Sequence, residues 1–553
     1  MAPTRDELLC TALDFVAQFA KLDPESVLSF LSPSCTLRSF PSSLGKPTLQ
    51  TKEESKADFQ GLKDFFHNFQ LRVKDDAEPV VDEPARKVVL HIEGKGDSLV
   101  GRFETEYVYI LQMNEEGTMA SAFRIAAPDG VNIVLAPSYA HEIGEHPDLN
   151  PGPIAGDEFN CHIDGFEVFA QLGTSDVISE SVRTRLTRQL TKLTPLLTSE
   201  TALLLQSQWK DAPNWVEVSP HETAMFILSR LSSLVFVGDD LGRNPDWVHI
   251  LTSYNNEAFA AAEELNLWPQ ILRPLVAHLK PSCRQLRRYI RDARALLVPV
   301  IEQRHHAQSQ GDRREYNDAI EWLNETSHSL GQSYDPLLSQ MLLAIGSFHT
   351  SSDLLGQVLL DLCMRQDWEV LVGELRKEII SSLQGVGWDK ISLNNLKLMD
   401  SVLKESQRLK PASTVTMGRY ASREIILSDG TRIPKGSTVF IANVAMRDPN
   451  IYPDPDVFIP DRFTTRREKG DSSAYLVSAS PEHIGFGLGR HACPGRFFAA
   501  NEVKIVLSHM LLKYDIKLFD NGAAVAPSTS GIFLETNPNA RICVRRRKEE
   551  ILI

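Results

Sequence analysis

Cysteine is scarce in this chain, with seven residues spread over 553 positions. An odd and thinly spread set does not fit a disulfide-dense secreted scaffold, so we expect a reducing compartment. The acidic pair Asp6-Glu7 also differs from the basic start of a secretory signal. The sequence has no apolar run of about 18 residues, the length that a membrane span needs. We therefore expect no transmembrane helix.

Positively charged residues are fewer than negatively charged residues in this chain. Lys and Arg total 58 against 72 for Asp and Glu, which gives a formal charge of −14, so the chain is a poor candidate for binding nucleic acid. The one basic cluster, Arg545-Arg546-Arg547-Lys548, is interpreted as a solvated tail. A hydrophobic content of 42% and a charged content of 24% are those of a globular protein rather than a disordered one.

The first 124 residues have the pattern of a small α+β domain. Apolar residues at helical spacing predict helices over Asp6–Lys21 and Lys52–Phe69. The period then changes, and the turn Asn114–Gly117 predicts a hairpin between the last two of four extended runs. These runs are Gln70–Lys74, Arg86–Glu93, Glu104–Met113 and Met119–Arg124. The segment Ala126–Gly130 is a plausible linker.

After one short extended run, Val131–Ala136, helical patterns dominate as far as Leu409. A segment of strands and turns follows over Val415–Ile441, and a glycine-rich loop, Gly485–Gly495, then leads into a helix over Phe497–Tyr514. The helices predicted before Leu409 are Glu180–Thr194, Glu222–Val237, Tyr254–Glu264, Arg284–Glu302, Pro336–Met364, Trp368–Leu383 and Leu396–Leu409.

The glycine-rich loop contains the strongest chemical signal, the run Phe486–Gly495 around Cys493. Its glycines allow the backbone to approach a flat group closely. The basic residues Arg490, His491 and Arg496 and the start of a helix are expected to favour a thiolate over a thiol. A thiolate held in this way is an axial ligand for haem iron. The alternative, a buried structural cysteine, does not account for ten consecutive positions, Phe486–Gly495, that all agree with such a loop.

This loop resembles the haem-binding loop of the cytochrome P-450 monooxygenases, with Phe486, Gly487, Arg490, His491 and Cys493 at matching positions. The resemblance implies that haem is the cofactor, that Cys493 is its metal ligand and that His491 contacts a haem propionate. Three further landmarks occur in the family's order: Glu405-Ser406-Gln407-Arg408, Arg419, and Pro460-Asp461-Arg462-Phe463.

The resemblance gives each landmark a role. Glu405, Arg408 and Arg462 are expected to form a buried charge cluster that braces the haem-binding loop. Arg419 is similar to the family's second propionate contact, with a purely structural role as the alternative.

On the oxygen side, Pro336–Met364 resembles the family's central helix. Its motif here is Gly346-Ser347-Phe348-His349-Thr350, with His349 where the family has an acid. Thr350 and His349 are the predicted catalytic residues, because a hydroxyl and an imidazole can both move protons. The alternative for His349 is a packing role.

The resemblance covers about Asp129 to Lys517 and is closest to the fungal ent-kaurene-oxidase-like branch. It implies oxidation of a terpenoid, meroterpenoid or indole-diterpene-like intermediate in secondary metabolism. It also implies electrons from an NADPH-cytochrome reductase, since the chain has no flavin or nicotinamide fingerprint. The family's front end is expected to be missing, and the protein is expected to be cytoplasmic or peripheral on the endoplasmic reticulum.

The first part of the chain resembles nuclear-transport-factor-2-like (SnoaL-like) domains, through its order of elements and the run Val80–Val89. The expected fold is thus a small cone-shaped α+β domain over 1–127, followed by a mainly α cytochrome P-450 fold with small β-sheets over 128–553. His67, His91, Asp58 and Tyr107 are candidate pocket groups. Two alternatives stay open: isomerase or cyclase activity of this domain beside an impaired haem domain, or a non-catalytic role in dimerisation or as a scaffold.

Overall fold

The computed structural model describes residues 3–21, 24–29, 31–40, 50–51, 66–74, 78–82, 86–98, 101–113, 119–126, 132–172, 176–312, 314–519, 525–530 and 532–551. These residues belong to two compact units. The first comprises Met1–Asn132 with Thr529–Phe533, and the second comprises Ile133–Ser528 with Leu534–Ile553.

The described residues of the first unit form two helices, Arg5–Phe19 and Pro24–Ser29, and a seven-stranded sheet. In chain order the strands β1 to β7 are Leu31–Phe40, Gln50–Thr51, Phe66–Val73, Val80–Asp82, Lys87–Ser98, Gly101–Met113 and Met119–Ala126. Along the sheet the strands run in the order β2-β1-β7-β6-β5-β3, with β4 also paired to β5. All neighbours are antiparallel except β1 and β7, which are parallel.

Alternation along β5 explains how this sheet meets its helices. Val88, Leu90 and Ile92 are fully buried, as expected where every second residue faces a core. They cluster with Leu8 and Phe15 of the first helix. That helix begins at a capping box, in which Thr4 and Glu7 satisfy each other's backbone N–H groups.

The sequence pattern predicted most of this unit but not all of it. The four extended runs fall on β3, β5, β6 and β7, with Lys74 and Arg86 each one residue outside the strand. The helix predicted over Lys52–Phe69 is wrong at its end, because Phe66–Phe69 begin β3. The aromatic residues there suit a strand as well as a helix, and pairing with β5 decides between them. Residues 52–65, the turn at 114–117 and linker residues 127–130 lie outside the described residues.

The second unit is mainly helical, as predicted. The bounds of Pro336–Met364 and Trp368–Leu383 match the prediction, and those of Lys397–Leu409 and Arg496–Lys513 lie within one residue of it. Three helices extend beyond their predicted bounds at both ends: Pro220–Gly242, Pro245–Asn266 and Pro281–Ser309. The helix predicted over Glu180–Thr194 is a π-helical turn, Ser181–Leu186, followed by the α-helix Thr187–Trp209. The α-helices are Ala140–Glu145, Gly152–Glu158, Asp176–Glu180, Thr187–Trp209, Pro220–Gly242, Pro245–Asn266, Arg273–Leu279, Pro281–Ser309, Ala319–Leu330, Pro336–Met364, Trp368–Leu383, Lys390–Asn395, Lys397–Leu409, Arg462–Glu468 and Arg496–Lys513.

Small sheets complete this unit. The strand Val415–Ala421 pairs with Thr438–Ala442, which pairs in turn with Asn132–Leu135, and its other edge pairs with Leu149–Asn150. A three-stranded sheet joins Val216–Val218, Ile542–Arg546 and Tyr514–Leu518. The remaining short strands form two two-stranded sheets. One pairs Ile425–Ile426 with Arg432–Ile433, and the other pairs Ser528–Ser530 with Phe533–Glu535.

The interpretation of the basic cluster near the C-terminus as a solvated tail is wrong. Arg545 and Arg546 end the strand Ile542–Arg546, and each forms an ion pair, with Asp515 at 2.9 Å and Asp211 at 3.0 Å. The positive charges are therefore used within the fold. In the part of the chain that is described, no helix has the length and apolar character needed to cross a membrane.

The helix Pro336–Met364, called here the central helix, runs through the core of the second unit. Asp335 caps its first turn by accepting a hydrogen bond from the Leu338 N–H at 3.0 Å. Its apolar side chains pack into both large cores of the unit. A helix that is apolar on nearly all sides is expected in such a position.

Candidate functional site

The glycine-rich loop folds back on itself just before the helix Arg496–Lys513. The Cys493 N–H donates to the Phe486 carbonyl at 2.8 Å, and the Gly487 N–H donates to the Ile484 carbonyl at 2.9 Å. Gly487 has a φ of 68°, which only glycine adopts without strain. A Cβ added there would be in ordinary van der Waals contact, 3.7 Å from the Cα of Ala492 and 4.0 Å from the His491 carbonyl oxygen.

The other side of the loop is closely packed. A Cβ at Gly489 would lie 2.6 Å from the Gly144 carbonyl oxygen on the helix Ala140–Glu145. Glycine is therefore needed at Gly489 because the loop backbone touches a helix backbone. This contact fixes the loop against the helix Ala140–Glu145.

The structure corrects the expected state of the Cys493 thiol. Burial raises its pKa above the ordinary value, and this outweighs the lowering by hydrogen bonds from the Gly495 and Arg496 N–H groups and by the Arg496 charge. The basic flank alone therefore does not produce a thiolate. Only a strong positive charge at the sulfur itself, such as that of a bound metal ion, would remove the proton.

Basic groups gather beside the loop, and among the described residues none of Arg419, Arg490 and His491 forms an ion pair with a carboxylate. Arg419 is 4% exposed, and its Nε has no hydrogen-bond partner within the described part of the chain. Burial, together with the charge of Arg490, lowers its pKa to about 10. Burial and the charges of Arg419 and Arg490 also lower the pKa of His491, against a smaller opposing effect of Asp176. An unpaired buried guanidinium is costly, so this cluster suits an anionic group that the chain itself does not supply.

The predicted charge cluster is assembled at the end of the helix Lys397–Leu409. Glu405 and Arg408 are 0% exposed and form a two-bond ion pair, with Nε–Oε2 at 2.8 Å and Nη2–Oε1 at 2.9 Å. Arg462 binds the same carboxylate through its Nε at 3.0 Å. The remaining guanidinium N–H groups donate to backbone carbonyls, among them Met446 at 2.7 Å and Pro453 at 2.6 Å. Arginine suits this position because it presents several donors in a plane.

This charge cluster reaches the glycine-rich loop through neighbouring residues. A Cβ at Gly485 would lie 2.5 Å from the side chain of Gln407, so the loop rests directly on the helix that carries Glu405 and Arg408. The guanidinium of Arg408 also lies 5.0 Å from the ring centre of Tyr452. The helix that carries the cluster therefore contacts the segment that leads into the loop.

The central helix has one opening in its otherwise shielded length. Gly346 and Thr350, one turn apart, are its exposed residues, apart from Met364 at its end. A Cβ at Gly346 would meet no atom within 4 Å. The Thr350 hydroxyl donates to the Gly346 carbonyl at 3.1 Å. A hydroxyl therefore stands at the edge of open space in the middle of a buried helix.

His349 lies on a different side of the central helix. Its Nε2 is buried and has no hydrogen-bond partner among the residues described, and its ring meets Phe259 edge to face with 6.4 Å between ring centres. Burial, together with the charge of the nearby His221, lowers its pKa to about 4. At neutral pH the ring is therefore uncharged.

Sequence reasoning missed a carboxylate one turn beyond Thr350. Asp353 accepts a hydrogen bond from the Thr536 hydroxyl at 2.7 Å and another from the Thr536 N–H. Burial raises its pKa to about 6, and the charge of Glu535 adds to the rise. The three-residue spacing from Thr350 is a signal that the sequence already contained.

Arg185, on the helix predicted over Glu180–Thr194, pairs with Glu325 at 3.0 Å. In the first unit, Asp58 lies outside the described residues. The register pairs Tyr107 with Ile92 and His91 with Val108, so these two candidates occupy alternate positions that belong to opposite faces of the sheet.

Comparison with known proteins gives a consistent result. The cytochrome P450 family model matches residues 182–544. Cytochrome P450 monooxygenase ausG of Penicillium brasilianum is 99% identical over 434 residues, which are 78% of this chain and 82% of the relative. The retinoic acid bound cyanobacterial CYP120A1 has a similar structure, with a TM-score of 0.56 and 18% identity over 75% of this chain and 89% of its own.

A further solved structure, AusH from Aspergillus nidulans, is 86% identical, with a TM-score of 0.22, over 23% of this chain and 86% of its own. Cytochrome P450 monooxygenases contain haem iron with a thiolate ligand, act on small substrates and take electrons from a reductase partner. The chain belongs to the cytochrome P450 family and is a haem-thiolate monooxygenase, an oxidoreductase of fungal secondary metabolism.

Proposed function

We propose that the second unit binds haem between the glycine-rich loop and the central helix, and inserts oxygen into a C–H bond of a terpenoid, meroterpenoid or indole-diterpene-like intermediate. Cys493 is the axial ligand in this proposal. Arg419, Arg490 and His491 bind the propionates, and the backbone of Phe486 and Gly487 borders the ring. When bound, haem supplies the activation of dioxygen.

The observation that carries the proposal is the unpaired basic cluster beside the cysteine loop. Arg419 is buried, its Nε has no hydrogen-bond partner among the described residues, and the charge that acts on it is that of Arg490, also positive. Two propionates would supply the missing negative charge within reach of Arg419, Arg490 and His491. The opening at Gly346 fits a flat group in the same way, because a side chain at this position would reduce that space.

The other residues of the site support the reaction without touching the iron. Glu405, Arg408 and Arg462 hold the segment under the loop, so that Cys493 keeps its position. The hydroxyl of Thr350 has a proton that it can transfer. In the structure this hydroxyl donates a hydrogen bond to the Gly346 carbonyl. A role of His349 in proton transfer stays a prediction. Its ring is uncharged at neutral pH and so carries no proton that it readily donates.

The apolar surroundings of the central helix favour an apolar scaffold as substrate. Phe159, Phe169 and Phe259 form an aromatic cluster with ring centres 4.3–5.9 Å apart, and Phe259 also contacts His349. Such a wall binds fused hydrocarbon rings through dispersion and burial. The choice of a terpenoid or meroterpenoid follows from the resemblance to the ent-kaurene-oxidase-like branch.

For residues 1–127 we propose a nuclear-transport-factor-2-like domain, separate from the haem domain over 128–553. The order of helices followed by a sheet, with the helix Arg5–Phe19 packed on β5, supports this assignment. Dimerisation through this domain stays a prediction.

The reduced carbon-monoxide difference spectrum tests the haem proposal. We expect a thiolate-type Soret band for the intact chain and none for Cys493→Ala. Cys363→Ala is the matched control: this cysteine is buried, with burial raising its pKa to about 12, and lies away from the loop. A thiolate band in Cys493→Ala would overturn the assignment. Expression beside a reductase, with metabolite profiling of a deletion strain, then tests the substrate class.

A further inference from the structure

The carboxyl group of Asp353 is held by one oxygen only. Both hydrogen bonds from Thr536, one from its N–H and one from its hydroxyl, go to Oδ1, and the Thr536 hydroxyl also donates to the Asp353 carbonyl at 3.1 Å. Oδ2 accepts no hydrogen bond from the described residues. The carboxyl is therefore fixed in orientation while one oxygen stays available for a proton.

Close packing keeps Thr536 in this position. Thr536 is fully buried, and a Cβ at Gly356 would lie 2.9 Å from its hydroxyl oxygen. The side chain of Thr536 thus sits in a notch of the central helix between Gly356 and Asp353. Because Thr536 is held in place, it restricts rotation of the Asp353 carboxyl group and sets the direction of its free oxygen.

Helix geometry makes Asp353 a surface neighbour of Thr350, whereas the adjacent His349 does not face it. Residues three apart on a helix are surface neighbours with Cβ atoms ~5–6 Å apart, whereas adjacent residues do not face each other. One water can therefore bridge Asp353 Oδ2 and Thr350 Oγ1. His349 faces Phe259 instead.

We propose that Asp353 is a positioning residue for proton transfer in this reaction, which delivers protons to Thr350 through its free Oδ2. This inference rests on the proposed function, because Thr350 must border the bound haem. In each transfer, the Oδ2–H proton passes through one water to Thr350 Oγ1, the original Thr350 proton leaves toward the reacting oxygen, and a solvent proton restores Asp353. No other bond is made or broken.

The titration of Asp353 fits this role. A pKa of about 6, raised by burial and by the Glu535 charge and lowered by Thr536 and Lys410, lets the carboxyl gain and lose a proton near neutral pH. Lys410 itself pairs with Asp361 at 2.5 Å, which limits its effect. On the central helix, the neighbouring His349 is uncharged at this pH.

The test uses the haem-loaded chain with an NADPH-dependent reductase and no organic substrate. Dioxygen then takes two electrons and two protons to give hydrogen peroxide, or four of each to give two waters, and all electrons come from NADPH. Poor proton delivery favours peroxide. In Asp353→Asn, which keeps the Oδ1 acceptor for Thr536, we expect the ratio of water to peroxide to fall about 10-fold. Asp353→Glu should restore part of it.

The pH profile separates this role from a structural one. In the intact chain the ratio of water to peroxide should fall as pH rises through about 6, because fewer Asp353 carboxyls carry a proton. In Asp353→Asn it should not change over that range. Glu502→Gln is the matched control: Glu502 is another buried carboxyl with a raised pKa, bonded to Ser232, and its removal should leave the ratio unaltered.

A second readout needs no turnover. The native state keeps the Asp353 proton up to about pH 6, so melting temperature should decline between about pH 4 and pH 6 more steeply in the intact chain than in Asp353→Asn. Equal ratios and equal pH profiles in both proteins, with intact thiolate spectra, would overturn the inference and leave the haem proposal standing. A missing thiolate spectrum in the intact chain would overturn the haem proposal, whatever the melting curves show.

Discussion

Removal of the carboxylate at the centre of the charge cluster is the most direct test of what supports the haem-binding loop. In Glu405→Ala, the guanidinium groups of Arg408 and Arg462 lose their shared partner while they stay buried. Their other hydrogen bonds go to neutral carbonyl groups, which do not cancel the charge. The variant therefore has two adjacent positive charges in a site of low dielectric constant.

The expected loss of stability can be worked out from this geometry. Breaking a buried ion pair by removing one partner costs about 3–5 kcal/mol. For a unit of roughly 400 residues, an unfolding entropy near 2.1 cal/mol/K per residue converts this into a fall in melting temperature of about 4–6 °C. The loop rests on Gln407 through Gly485, so we also expect haem to be lost more readily.

A pair with the same spacing provides the control. Glu180 and Arg183 are also three residues apart on a helical segment and lie 3.1 Å from each other, but their side chains are 33% and 54% exposed. Exposed pairs contribute about 0–1 kcal/mol, so Glu180→Ala should shift the melting temperature by about 1 °C or less. Melting by circular dichroism and haem content by Soret absorbance are measured for both variants. If Glu405→Ala behaves like Glu180→Ala in both assays, the reasoning about the buried charge is refuted.

Three further predictions follow from other parts of the site. Cys493→Ala should lose the thiolate Soret band while Cys363→Ala retains it, measured by the reduced carbon-monoxide spectrum. Thr350→Ala should keep its haem but release more peroxide per NADPH consumed. Ser347→Ala, which removes a hydroxyl one helical turn before Thr350, should release no more peroxide than the intact chain. Glu502 has an ordinary pKa of 4.5 that burial raises to about 8, so the native state loses stability as pH rises between these values. Glu502→Gln lacks that loss, and its melting temperature relative to the intact chain should increase from pH 5 to pH 8. An unchanged difference across this range would show that Glu502 does not hold a proton in the native state.

The sequence alone determined the family and most of the helices. Ten consecutive positions around Cys493 have few interpretations, because backbone freedom, basic charge and a helix start are needed together. The bounds of Pro336–Met364 also followed from the sequence, since Asp335 and Pro336 mark its start and a long apolar pattern continues to its end. Local signals of this kind do not depend on the rest of the fold.

Only the tertiary structure decided the states of the titratable groups. The residues near Cys493 suggested a lowered pKa, yet burial raises it, and burial depends on neighbours from distant parts of the chain. Asp353 became a candidate because Thr536, 183 residues later, binds its Oδ1. In the same way, pairing with β5 turned Phe66–Phe69 from a helical pattern into a strand. Sequence patterns specify local conformation and residue chemistry, whereas desolvation and long-range partners arise only when the chain is folded.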